Sequence, residues 1–215
     1  MSETATRTDR RRVRNRAAIC RAAEQLFADR GVDGVSVDEI VGAADLAKGT
    51  FYNHFADKET LAREISRAVR SDVETRVDGA NAGVTDPAER VARALVVFAR
   101  FALESPASAR VMTRLAPHVT NIESSLNRGL RSDVNGGIRA RRFAVANRDA
   151  AVLFVMGVVQ IAIARMIDEA PRAAAARATC SALVALLLRG LGVDAGEAER
   201  IAAAASGALL NGESA

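Results

Sequence analysis

Several residue types that carry familiar chemistry are scarce in this 215-residue chain. It has two histidines, His54 and His118, and two cysteines, Cys20 and Cys180, none at the spacing of a zinc site or a redox motif. Both cysteines lie in alanine- and leucine-rich helical patterns, where a thiol behaves as a small buried hydrophobe. There is no P-loop and no nucleophile elbow. "GLGVDAG", Gly190 to Gly196, fails as a dinucleotide loop because its third glycine comes one residue late and a helix precedes it. No metal ligand set, cofactor loop or catalytic group stands out, so the sequence argues for a binding protein without a cofactor.

Long apolar runs are also few. The longest, Ala150 to Ala164, is interrupted by Gln160 and falls short of the roughly 20 residues of a bilayer span. The first residues, "MSETATRTDRRRVRNR", carry no apolar export region, and the expected location is the cytoplasm with no membrane partner. Alternating patterns and internal repeats are missing too, so the expected fold is all-α with about nine or ten helices.

Arginine is abundant. The net charge is +4, and the first sixteen residues hold Arg7, Arg10, Arg11, Arg12, Arg14 and Arg16 against only Glu3 and Asp9. Residues 1–13 are expected to be a basic flexible arm, either a solvated tail or a DNA-touching one. A helix over about Arg14 to Asp29 puts Ile19, Ala23, Leu26 and Phe27 on one face and closes at Gly31. "SVDE" is a capping box at Ser36 that opens a second helix, and a turn at "ADLA" leads to a third over Lys48 to Phe55. Asp57 caps a long fourth helix. Later helix starts are marked at Asp86-Pro87, Ser105-Pro106, Thr120 to Glu123, Asn147, Pro171 and Asp194. The helix-turn-helix domain is expected over 14–60, with its motif at about 36–55, and a helical regulatory and dimerisation domain over 61–211.

"AKGTFYNHFADK", Ala47 to Lys58, holds both lysines, the one tyrosine and three of the eight aromatic residues. On a helix from Lys48, Phe51 and Phe55 join Leu46 as a core stripe. Lys48 and Tyr52 are four apart, as are Thr50 and His54, while Asn53 lies three from Thr50, so a cation and several hydrogen-bonding groups face outward toward phosphates or base edges. Gly49 allows close approach of the backbone. Lys58 adds a charge beside free amides at the start of the fourth helix. Two short helices with the second armed in this way form a helix-turn-helix.

"VSVDEIVGAADLAKGTFYNHFADKETL" resembles the helix-turn-helix of the TetR (tetracycline-repressor-like) family, which reads approximately T-x-x-x-I-A-x-x-A-G-V-S-K-G-T-x-Y-x-H-F-x-x-K-x-x-L. Ser36, Ile40, Lys48, Gly49, Thr50, Tyr52, His54, Phe55, Lys58 and Leu61 meet that pattern. Asp45 replaces its turn glycine and Ala47 its helix-capping serine. The resemblance implies a homodimeric transcriptional regulator, usually a repressor, that leaves double-stranded operator DNA when a small ligand enters its C-terminal domain. DNA contacts would then come from Ser36, Lys48, Gly49, Thr50, Tyr52, Asn53, His54 and Lys58. A ligand-independent or partner-regulated DNA-binding factor and an α-helical enzyme on the same fold are the alternatives.

Two later helices, about Asn147 to Glu169 and Pro171 to Leu191, are apolar on more than one face and must be covered, by the core or by a second copy. Phe154, Gly157, Ile161, Leu183 and Leu187 are the expected dimer contacts. Phe98, Phe101, Met112, Leu115, Phe143, Phe154 and Met156, with His118, Asn121 and Gln160 as polar anchors, are the candidate ligand pocket.

Overall fold

A computed structural model describes residues 7–114 and 121–210, and all regular elements among them are helices. They are α1 (Arg7–Arg30), α2 (Val37–Ala43), α3 (Lys48–Tyr52), α4 (Lys58–Ala80), α5 (Pro87–Glu104), α6 (Pro106–Arg114), α7 (Arg128–Arg139), α8 (Arg148–Glu169), α9 (Ala173–Gly190) and α10 (Ala195–Leu210). A single 3-10 turn, Ser125–Asn127, precedes α7.

Polar side chains start these helices by accepting from amides that have no partner within the helix. Asp57 takes Thr60 N, Asp86 takes Ala88 N beside Pro87, Asn147 takes Ala150 N and Asp194 takes Glu197 N. Three boundaries depart from expectation. First, α1 begins at Arg7, so residues 7–13 are helix rather than flexible arm. Arginine is a good helix former, no glycine intervenes before Gly31, and Asp9 sits favourably in the first turn. Second, α3 ends at Tyr52, and Asn53 and His54 continue it as a turn, with Phe55 N still donating to Phe51 O. Third, Thr120 lies outside the described residues, and Ser124 caps the 3-10 turn while α7 starts only at Arg128.

The chain forms two compact units, Met1–Val69 with Arg110–Pro117, and Arg70–Ala109 with His118–Ala215. In the first, Ile19, Ala23, Phe27, Ile40, Phe51, Phe55 and Leu61 are buried together from α1 to α4. Arg114 donates to the carbonyls of Ala28 and Asp29 at the end of α1, which ties the end of α6 to this unit.

In the second unit α5 is central, lying against α7, α8, α9 and α10. Its Leu95, Val96, Val97, Phe98, Ala99 and Phe101 are all buried. Phe143 occupies the space where a Cβ on Gly137 would stand, at 2.1 Å, so glycine at 137 is what lets the ring in. Arg142, between α7 and α8, joins the starts of α5 and α10: it forks onto Asp86 at 2.9 and 3.0 Å and onto Glu197 at 2.7 and 2.8 Å. The guanidinium holds the Asp86 carboxyl below its ordinary range.

α8 and α9 are long and apolar enough to cross a bilayer by length and composition alone. Both nevertheless bury one face within the unit: Ala151, Val152, Val155, Ala162, Ile163 and Met166 on α8, and Ala176, Cys180, Val184, Leu187 and Leu188 on α9. Their other face is the unusual one. Leu153, Phe154, Ile161 and Leu186 remain 40%, 42%, 64% and 60% exposed, four large apolar side chains on two neighbouring helices.

Candidate nucleic-acid interface

The entrance to α2 is the expected capping box. Glu39 N donates to Ser36 Oγ at 3.2 Å, and Ser36 N donates back to Glu39 Oε2 at 2.8 Å. Arg30 donates to the other carboxylate oxygen at 2.7 Å. The Ser36 amide, followed by the Arg30 side chain, pulls the Glu39 pKa down to about 2. The exit of α2 is a Schellman turn: Leu46 N donates to Val41 O and Asp45 N to Gly42 O, with Asp45 in the left-handed region at φ 54°. Aspartate is among the few residues other than glycine that tolerate this conformation, so replacing the family's turn glycine leaves the turn intact. Ala47 makes no side-chain cap bond at the start of α3. Lys48 bridges the two helices instead, its ammonium 2.9 Å from an Asp38 carboxylate oxygen.

This turn sets the face that α3 presents. Phe51 and Phe55 point inward, with rings 5.7 Å apart, and the exposed Tyr52 ring stands edge-on to Phe51 at 5.4 Å. Lys48, Gly49, Tyr52 and Asn53 are exposed, with Thr50 and His54 half-buried beside them. A Cβ on Gly49 would meet no protein atom within 4 Å, so nothing inside the chain demands glycine there. Desolvation first, and then Arg12 and Arg16, lower the His54 pKa, so its imidazole is neutral at pH 7 and offers a hydrogen bond rather than a charge. Arg12 and Arg16 reach this neighbourhood from α1, and the Arg16 guanidinium lies 4.9 Å above the Phe55 ring. Sequence reasoning did not foresee that contribution, because helical spacing within α3 says nothing about which face of α1 arrives beside it.

Lys58 has partners inside the unit. Its ammonium donates to the carbonyls of Val32 and Val35, both at 2.9 Å, and so ties the connection between α1 and α2 to the start of α4. Two of its three donors are committed inside the unit, a structural role beside the phosphate contact expected from sequence. Lys58→Ala is accordingly expected to lower stability by about 2–3 kcal/mol, the scale of losing hydrogen bonds to a charged group. Denaturant unfolding checks this, and an unchanged midpoint would remove the structural role.

The expected pocket and dimer residues are placed unevenly. Phe98 and Phe101 are buried, under the guanidinium groups of Arg70 at 5.1 Å and Arg76 at 5.3 Å. Met112, in the first unit, and Phe143 are buried, Met156 and Gln160 are half-buried, and Asn121 is exposed. Leu115 and His118 lie outside the described residues. Phe154 is on the outer face of α8, its ring 2.8 Å from where a Cβ on Gly190 would be, so it does not line the interior. Gly157 and Ile161 share that outer face and Leu183 is half-buried. Leu187 is 1% exposed and faces the core; Leu186 holds the outward position expected of it, because one residue is about 100° of helix.

Comparison with known proteins identifies the family. The family profile described as bacterial regulatory proteins, tetR family, matches residues 19–65, and the tetracyclin repressor-like C-terminal domain profile matches residues 86–204, over half the chain. The chain belongs to the TetR family. Among curated members, the HTH-type transcriptional repressor DhaR of Mycobacterium sp. (strain GP1) is 38% identical over 53 residues, 25% of this chain and 27% of that protein. The A-factor receptor protein of Streptomyces griseus is 34% identical over 106 residues, 49% of this chain and 36% of the receptor. The chain therefore spans well under half the length of these two relatives. Among solved structures, RolR in complex with resorcinol is 28% identical and aligns with TM-score 0.61 over 90% of this chain and 95% of RolR. A gamma-butyrolactone receptor (ArpA-like protein), 22% identical, aligns with TM-score 0.68 over 93% and 97% of the two chains, a likeness of fold.

Proposed function

We propose that this protein is a cytoplasmic, homodimeric transcriptional repressor that binds an inverted-repeat operator through α2 and α3 and leaves it when a small apolar or amphipathic molecule occupies the helical unit that follows. The observation that carries this reading is the exposed face of α3: an ammonium, a phenol and a carboxamide on a rigid turn, held by a core stripe and a complete Schellman turn. Such groups suit phosphates and base edges. Two-fold pairing through the outer faces of α8 and α9 would give the dimer two symmetry-related copies of α3, which is why the site should be an inverted repeat.

The ligand reading draws on RolR, solved with the small phenol resorcinol, and on the buried aromatic side chains of α5. A ligand can shift the protein off DNA only by binding one conformation better than the other. Random-site selection with the purified protein should return an inverted repeat. Gel-shift titration with resorcinol and related small phenols and lactones should then weaken the complex. A protein that enriches no sequence would fail as a regulator, while one released by no compound that thermally stabilises it would be a ligand-independent DNA-binding factor.

A further inference from the structure

The DNA-binding unit has a charge problem. Residues 17–69 hold six basic residues, Arg21, Arg30, Lys48, Lys58, Arg63 and Arg67, against nine acidic ones, which leaves the helix-turn-helix with a net charge of −3. Three of those six cations are also engaged within the protein: Lys48 with Asp38, Arg30 with Glu39, and Lys58 with two carbonyls. Nonspecific affinity for DNA comes from neutralising phosphates, and this module by itself would repel them.

The missing charge is in the first turns of α1. Residues 7–16 carry six arginines against Asp9, a local charge of +5. The continuation of α1 back to Arg7 gives those arginines a fixed geometry. Arg7, Arg10, Arg11 and Arg14 follow helical i, i+3, i+4, i+7 spacing, are all exposed, and together line one surface recess. Seven residues of helix span about 10 Å, and four long arginine side chains spread from it can reach about three neighbouring phosphates of one DNA strand. Guanidinium forks bind phosphate oxygens in pairs. On the neighbouring face the Arg16 guanidinium lies 4.9 Å above the Phe55 ring, which places the arginine-rich turns beside the end of the α3 segment.

We infer that the ridge formed by Arg7, Arg10, Arg11 and Arg14 is a second DNA-contacting surface, which clamps backbone phosphates flanking each half-site and supplies most of the electrostatic binding that the net-negative helix-turn-helix lacks. This rests on the DNA-binding reading above and adds to it the location of the nonspecific affinity.

The test uses the full-length protein and the DNA it selects, with a variant in which all four arginines become glutamine and a second in which all four become lysine. Glutamine and lysine resemble arginine in helix propensity, so circular dichroism and thermal unfolding should match the parent. If each subunit's ridge neutralises about three phosphates, the glutamine dimer leaves about six of them unneutralised, and its slope of log affinity against log salt should fall by about five. Its affinity should drop more than tenfold on selected and random DNA alike, with the ratio between them unchanged, and the lysine variant should keep most of the slope. A folded glutamine variant with the parental slope would overturn the inference and leave the regulator reading standing, the ridge then serving some other anionic partner. A parent protein that binds no DNA would remove both.

Discussion

Aspartate at Ile161 or Leu186 should yield a folded monomer that loses its operator by two orders of magnitude or more. These side chains are 64% and 60% exposed on α8 and α9, so replacing them leaves the core of the subunit untouched. In a dimer they become interior, and a buried charge without a partner costs several kcal/mol per side, doubled by two-fold symmetry. Once the subunits separate, each half-site must be held alone. The effective concentration that couples the second half-site to the first disappears, and with it a factor on the order of 10²–10⁴ in affinity. Sedimentation reads the first consequence and gel shift the second. Leu187→Asp gives the contrast: at 1% exposure it should unfold the chain instead of dissociating it. A parent protein that sediments as a monomer at micromolar concentration would remove this interface and the inverted repeat that depends on it.

The difference between Leu186 and Leu187 illustrates what the sequence conveys about this fold. Helix starts were legible where a short polar side chain had to satisfy open amides, at Ser36, Asp57, Asp86, Asn147 and Asp194, because that requirement is local. The phase of α8 and α9 was not, since alanines and leucines surround both helices and periodicity has little contrast to report. The early start of α1 was hidden for a related reason. A run of arginines reads equally as tail or helix, and only the absence of a breaker before Gly31 decides it.

The site divides along the same line. The outward groups of α3 and the inward Phe51 and Phe55 follow from spacing alone and sit as spacing requires. Lys58 does not, because its partners, the carbonyls of Val32 and Val35, are more than twenty residues away and give no signal in the motif. The same holds for Lys48 and Asp38, ten residues apart on different helices, whose pairing exists only once the Schellman turn has folded. A positive side chain inside a DNA-binding motif is thus an ambiguous sign. Long-range contacts decide whether it holds the protein together or faces the nucleic acid.

That ambiguity makes the α3 substitutions most informative when compared with one another. Asn53→Ala should relax preference at one symmetric pair of operator positions and weaken the selected site by about 1–3 kcal/mol, the worth of a bidentate base contact, while random DNA is bound as before. Lys48→Ala should weaken both kinds of DNA equally, and Asp38→Asn should do the reverse, because it frees the Lys48 ammonium from its carboxylate for a phosphate. Tyr52→Ala removes an exposed phenol together with the ring edge against Phe51, so Tyr52→Phe is needed to separate the hydroxyl from the packing. Phe51→Ala behaves differently from all of these. Its ring is fully buried, and truncation should cost about 3–5 kcal/mol of stability, so that selected and random DNA are lost together because the unit unfolds. Random-site selection repeated with each folded variant, alongside unfolding curves, separates the three patterns. If Lys48→Ala, Tyr52→Ala and Asn53→Ala all folded and bound the selected site as the parent does, α3 would not be the reading helix, and the DNA-contacting surface of this protein would have to lie elsewhere.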